Sequence, residues 1–444
     1  MPVSLRELTL IGIVFILVLL ALVRPKYGLY GYLWYALMRP DVLCYVEDER
    51  NIYSLVIFGA TALGSIRYIP NIANVFRHYI GICFIALQVP FTLSVPFAVY
   101  PDLAVDRFVF FIKAMIALLL IPMLIETIDD LKELYLTIAL SLGFVGIKYG
   151  LYGVVFGGVE LARGYGPMLG DNNFVAMALA TVMPLCWFGR SLTSNKIIQY
   201  ALLAEFVFCI PAIVMTNSRG GILSMGVVML FITLTAKGRI WLLLLILAGS
   251  AGSIYLVQDM FTTRMATLSN VEEEASAASR LWHLNAALRM SLDHPILGVG
   301  FGGYNYAVLS PQYDTRVDGK HVAHNSYAQV LADSGIFAFV LYAGMLFGAI
   351  YSTRASAKRM AKAAPALWAI PNGLCLSLIA FALGSTFYSC QRMDLLYMLL
   401  LTSSMWLILE SQIKLAPAPQ PAPGGLRPLP HRLPPQPWGH PVRP

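Results

Sequence analysis

The residues that offer chemistry are few and mostly basic. His324 stands in HVAHNSYAQVLADSG (residues 321–335), where a long polar segment gives way to an apolar run. Asn325 or Ser326 can cap the helix that begins there. His324 then sits at a helix N-terminus, whose positive end disfavours imidazolium. A neutral imidazole is what a general base needs, although a histidine in this position also reads as an ordinary polar helix start. His321, three residues earlier, belongs to the preceding loop. Arg219, in TNSRGG (216–221), lies at the mouth of two apolar segments. Its planar fork suits phosphate oxygens, and Gly220 and Gly221 allow close backbone approach; a snorkelling arginine before a glycine turn is the plainer reading.

Arg264 and Arg280 lie in the long polar segment 258–325, within FTTRMATLSN and SRLWHLNAAL. Each can face an anionic lipid head or simply snorkel at the interface. Lys148, in GFVGIKYGLYG, is embedded in an apolar run, where a lysine is a functional suspect. Asp171, Asn172 and Asn173 open the next run, either as helix caps or as polar groups on the same face. GVGFGG (298–303) has no βαβ context and no following Lys-Ser/Thr, so it reads as a glycine turn. No Asp-x-Asp pair occurs, so a sugar-nucleotide–metal site has no obvious ligands, which leaves open a metal held by scattered carboxylates; no metal ligands are singled out and no cofactor is expected.

The elements that must position these groups are membrane helices. The 444 residues are 58% hydrophobic and 12% charged, about half the charge of a soluble domain. Apolar runs recur at 8–23, 27–43, 52–69, 79–99, 108–125, 134–157, 173–189, 197–215, 221–236, 240–257, 326–352, 366–388 and 395–411. A span needs roughly 17–25 residues, so 27–43 and 221–236 are marginal. The spacing predicts an all-α polytopic membrane protein with about twelve transmembrane helices and one long outer loop carrying surface helices. The expected organisation is a helix bundle over 1–257, the loop over 258–325, further spans over 326–414 and a Pro-rich cytoplasmic tail over 415–444. The apolar run near the N-terminus reads as a retained anchor.

Basic loops at 67–78, 189–196, 236–239 and 353–362 belong inside. Alternation then puts 158–172, 216–221 and 258–325 outside, on one face with His324. In the long loop, Leu281, Leu284 and Leu288 follow a helical spacing that fits a surface helix also carrying His283. The net charge of +7 sits in short loops and forms no stripe suited to nucleic acid. The six scattered cysteines read as small buried hydrophobes. A transporter would place paired charges along a path through several spans; here the suspects gather at one face.

Together these residues resemble the O-antigen ligase and polymerase superfamily of bacterial inner-membrane glycosyltransferases, over roughly residues 10–410. RGGIL (219–223) is similar to the Arg-x-x-x-Leu motif of its ligases. HNSYAQVLADSG (324–335) resembles their histidine motif with a glycine further on, and SRLW points to Arg280. SLGFVGIKYGLYG followed by GDNN is similar to a branch of exosortase-associated O-glycosylation ligases. Tyr327 departs from the leucine common near that position.

The resemblance implies a donor glycan on undecaprenyl pyrophosphate and an acceptor on lipid A–core or protein. It implies inverting, metal-independent transfer at the periplasmic face, with His324, Arg219 and Arg280 as the catalytic group. Arg264, Lys148, Asp171, Asn172, Asn325 and His321 follow as substrate-binding candidates. A repeat-unit polymerase shares the donor chemistry and differs in its acceptor.

Overall fold

A computed structural model describes residues 4–44, 52–156, 167–235 and 270–413. Among them are sixteen α-helices and no strand. The first eight are α1 (Leu5–Val23), α2 (Pro25–Met38), α3 (Pro40–Leu43), α4 (Ile52–Gly64), α5 (Tyr79–Leu93), α6 (Pro101–Leu118), α7 (Leu120–Leu124) and α8 (Ile128–Val155). Then come α9 (Asn172–Gly189), α10 (Lys196–Met215), α11 (Arg219–Thr235), α12 (Asn270–Asp293), α13 (Tyr304–Tyr313), α14 (Ser326–Ala363), α15 (Ala369–Gly384) and α16 (Asp394–Ser411).

Among the described residues, eight helical stretches are long and apolar enough to cross a membrane, or nine if a bent pair counts as one. This is fewer than the twelve expected, and the shortfall has local causes. Arg39 adopts a left-handed backbone just before Pro40. This ends α2 after 14 residues, about 21 Å of helix against a hydrocarbon core of about 30 Å. The run at 52–69 turns by 93° after Gly64 into a 3₁₀ segment, Ile66–Arg77. The runs at 79–99 and 221–236 yield the shorter apolar helices α5 and α11. The run at 240–257 and the Pro-rich tail lie outside the described residues.

Helix α16 occupies the centre, with Tyr397 and Trp406 fully buried. Around it α8 packs on α9 and α10, α9 on α15, and α14 on α5 and α15. Helix α1 is peripheral and buries only Leu10, Val14 and Ala21. Residues 287–332 contribute a separate small core that includes Ala287, Met290, Val299, Tyr306 and Ala332. Helix α12 joins that core through Ala287 and Met290, and its His283 and Ala286 are buried as well. Of the three leucines whose spacing marks the helix, Leu284 packs in part on that core, while Leu281 and Leu288 stay exposed, so the buried face is offset from the one that the leucine spacing picks out.

One break matters for the site. Gly335 has φ 79° and ψ −176°, which splits α14 into Ser326–Ser334 and a longer second part. The preceding glycine turn inserts there. Val299 N–H donates to the Ala332 carbonyl at 2.9 Å, Gly300 N–H to the Asp333 carbonyl at 3.0 Å, and Ile336 N–H to the Pro295 carbonyl at 2.8 Å. These bonds replace those the break removes, because a buried backbone group must find a partner. GVGFGG is therefore a glycine turn, and the partner it serves is the chain's own helix.

Candidate functional site

The first turn of α14 is fastened on three sides. Asn325 caps it, accepting from Ala328 N–H at 3.0 Å, while its amide donates to the Thr386 carbonyl at 3.3 Å. Ser326 N–H donates to the Ser385 carbonyl at 2.8 Å. Ser326 Oγ donates to the Tyr388 carbonyl at 2.7 Å and accepts from Cys390 N–H at 2.9 Å. Both polar ends of the Asn325 side chain thus serve the fold. His324 precedes this cap with φ 51°, a left-handed conformation uncommon outside glycine, and its ring is half-buried.

The turn between α15 and α16 reaches back to Arg219. The Tyr388 hydroxyl bonds Ser218 Oγ, which donates to Asn173 Oδ1 at 3.0 Å. The Asn172 amide donates to the Thr216 carbonyl at 2.9 Å. Gly220 packs on the Tyr388 ring so closely that a Cβ would collide with it. Asn217, like His324, is left-handed, with φ 53°. Arg219 is thereby presented, exposed, at the first residue of α11.

Three imidazoles meet beside His324. The His283 ring lies 5.9 Å from that of His324 and 6.1 Å from that of His321, and His321 and His324 are 6.1 Å apart. Burial pushes the His324 ring down to about 4. The charges of His283, Arg280 and His321 push the same way, and Asp171 opposes them. The imidazole is neutral at pH 7, as a general base requires. The cause is burial among positive neighbours, where a helix-end dipole was the expected one. Burial and His321 also lower His283. Arg280 is close enough for its charge to act on both His324 and Tyr388.

His324, His321, Arg280 and Asp171 therefore form one electrostatic group, and Tyr388 links it to the turn carrying Arg219. Asp171 also caps α9, accepting from Asn173 N–H at 2.8 Å. Lys148 lies in the last third of α8, in a groove of about 430 Å³ lined with it by Phe144, Ile147, Leu151 and Tyr152. Arg264 lies outside the described residues.

Residues 204–343 match the family described as O-Antigen ligase. This match supports placing the chain with the O-antigen ligase superfamily. The matched stretch holds Arg219, Arg280, His321 and His324. Residues 5–193 match a family of unknown function, and that stretch holds Lys148, Asp171 and Asn172. No curated protein matches the chain. Together with the apolar helices, the match supports a multi-pass membrane protein of the ligase and polymerase kind.

Two features of the site escape a reading of the sequence. Tyr388 lies in STFYSC, a stretch with no pattern, and matters because the α15–α16 turn folds back. His283 reads as part of a surface helix, yet it is buried and joins His321 and Asp318 in a group whose ligand atoms lie within 4.8 Å of one another. No spacing rule links residues on such separate segments.

Proposed function

We infer that this protein is an inverting, metal-independent glycosyltransferase. It moves a glycan from undecaprenyl pyrophosphate to an acceptor hydroxyl at the periplasmic face of the inner membrane, the acceptor being lipid A–core or a protein. The observation that carries this reading is the neutral, half-buried His324 held beside Arg280, with Arg219 presented across Tyr388.

His324 takes the proton of the acceptor hydroxyl, whose oxygen attacks the anomeric carbon as the bond to pyrophosphate breaks. Arg219 and Arg280 take up the negative charge that grows on the departing pyrophosphate. Lys148 and Arg264 are further candidates for that role. His321, Asp171 and Asn172 shape the rim. The polyprenyl chain lies between helices among the membrane lipids, and no cofactor enters the reaction.

The test is reconstitution of the purified protein with a polyprenyl-pyrophosphate glycan and candidate acceptors, followed by identification of the product. Transfer to lipid A–core or protein supports the reading, whereas elongation of a second lipid-linked glycan identifies a polymerase. His324→Ala should insert and melt normally while losing about 10²–10⁴ in rate. Full transfer by that variant would rule out the base.

A further inference from the structure

The geometry points to a binding site for a zinc-class divalent cation at His283, Asp318 and His321, whose occupation holds back the transfer step. One ring nitrogen of each histidine and one carboxylate oxygen of Asp318 lie within 4.8 Å of one another. Two imidazoles and a carboxylate form a donor set that suits zinc and its neighbours, whereas magnesium and calcium call for oxygen ligands.

Each donor is oriented from outside the cluster or from within its own loop. The Tyr306 hydroxyl donates to the His283 carbonyl at 2.7 Å. Its oxygen then accepts from His283 Nδ1–H at 3.2 Å. The proton is thereby fixed on Nδ1, and Nε2 keeps a bare lone pair, the arrangement found behind metal-ligating histidines. The Asp318 carboxylate accepts from Lys320 N–H at 3.0 Å and lies 2.8 Å from His321 Nδ1. The segment carrying Asp318 and His321 is clamped to α12 on both sides of His283. Asp314 accepts from Asn285 at 3.2 Å, and the Arg316 guanidinium stacks 5.1 Å over Trp282. The ligands are thus brought together by contacts that owe nothing to a metal.

Three protein donors leave a fourth position on the cation, and the His324 ring stands beside the cluster, its centroid 5.9 Å from that of His283 and 6.1 Å from that of His321. The three rings form a nearly equilateral triangle. A triangle of these sides has its centre ~3.5 Å from each ring centroid, against about 3.2 Å for an imidazole bound through a Zn–N bond of about 2.0–2.1 Å. A ring movement that brings a His324 nitrogen into the ligand set of His283, Asp318 and His321 would let a cation draw on its lone pair. That lone pair can then no longer accept a proton. This second half rests on His324 being the base; the binding site does not.

The test uses the full chain in detergent, without an affinity tag and stripped with chelator, titrated with Zn²⁺ and with Co²⁺. The expected result is one tight equivalent, a tetrahedral Co²⁺ absorption and a higher melting temperature. Asp318→Asn and His321→Gln, both at exposed positions, should fold and bind at least about tenfold more weakly. Absence of saturable binding, or equal binding in both variants, overturns the site.

In the reconstituted reaction Zn²⁺ should suppress transfer by the wild type and spare Asp318→Asn. Stimulation by Zn²⁺, or equal suppression of both proteins, overturns the inhibitory role. If the metal-free protein transfers nothing, the proposed function falls, and the titration still judges the cation site by itself.

Discussion

Replacing Gly335 with alanine should be among the most damaging single changes in the chain. Its φ of 79° and ψ of −176° fall in a region held almost only by glycine, where another residue costs about 1–3 kcal/mol. The added Cβ would also strike the Ile296 carbonyl and come within 2.8 Å of Leu297 N. Relieving that clash pushes away the segment 295–300 and breaks its three backbone bonds to the split helix. Each bond contributes about 0.5–1.5 kcal/mol. Strain and lost bonds together come to about 3–7 kcal/mol, a large share of the roughly 5–15 kcal/mol that holds a typical domain. The control lies in the same helix: a Cβ at Gly344 meets nothing within 4 Å, and alanine there should be neutral or stabilise by about 0.5–1 kcal/mol. Thermal unfolding of both variants in one detergent makes the comparison. If Gly335→Ala melts with Gly344→Ala at or above the wild type, the account of the break is wrong.

Other expectations concern the site directly. Removing the guanidinium in Arg280→Ala or Arg219→Ala forfeits charge-assisted bonds of about 1.5–3 kcal/mol. Donor kcat/KM should fall about ten- to a hundredfold, and unchanged values would end the pyrophosphate role of that residue. Tyr388→Phe removes the hydroxyl that holds Ser218, for about 0.5–1.5 kcal/mol; donor KM should rise while kcat changes little, and a fall in kcat alone would contradict a positioning role. Asn325→Ala loses a helix cap worth about 0.5–2 kcal/mol. Its melting temperature should drop, Asn325→Asp should recover most of the loss, and failure of that rescue would point to a role beyond capping.

Much of the helical architecture is legible because the bilayer forces it. A backbone in hydrocarbon must bond to itself, so long apolar runs become helices, as at α8, α10 and α14 through α16. Breaks within such runs are harder to see. Hydropathy is indifferent to the left-handed Arg39 and to the bend after Gly64, where the chain packs so tightly that a Cβ would meet the Ala21 carbonyl. Local chemistry exposed the Asn325 and Asp171 caps and the place of His324, since capping acts within three residues. Contacts that close over long distances in sequence left no such mark: His283 with His321, or Tyr388 with Ser218. The leucine spacing in α12 misdirects for a related reason. The protein packs against the face bearing His283, Ala286, Ala287 and Met290, and Leu281 and Leu288 stay outside.

Tyr388 also bears on how the chain can be recombined. It touches Ser218 and Gly220 in the ligase-matched stretch, and through Ser218 it reaches Asn173 in the stretch of unknown family. Tyr388 itself lies beyond both matches. A chimera cut at the borders of the matched stretches would therefore divide one working unit among three parents. To transplant the site, a grafted segment needs its own α15–α16 turn and its own start of α9. Exchanging the ligase stretch alone should insert well and transfer poorly.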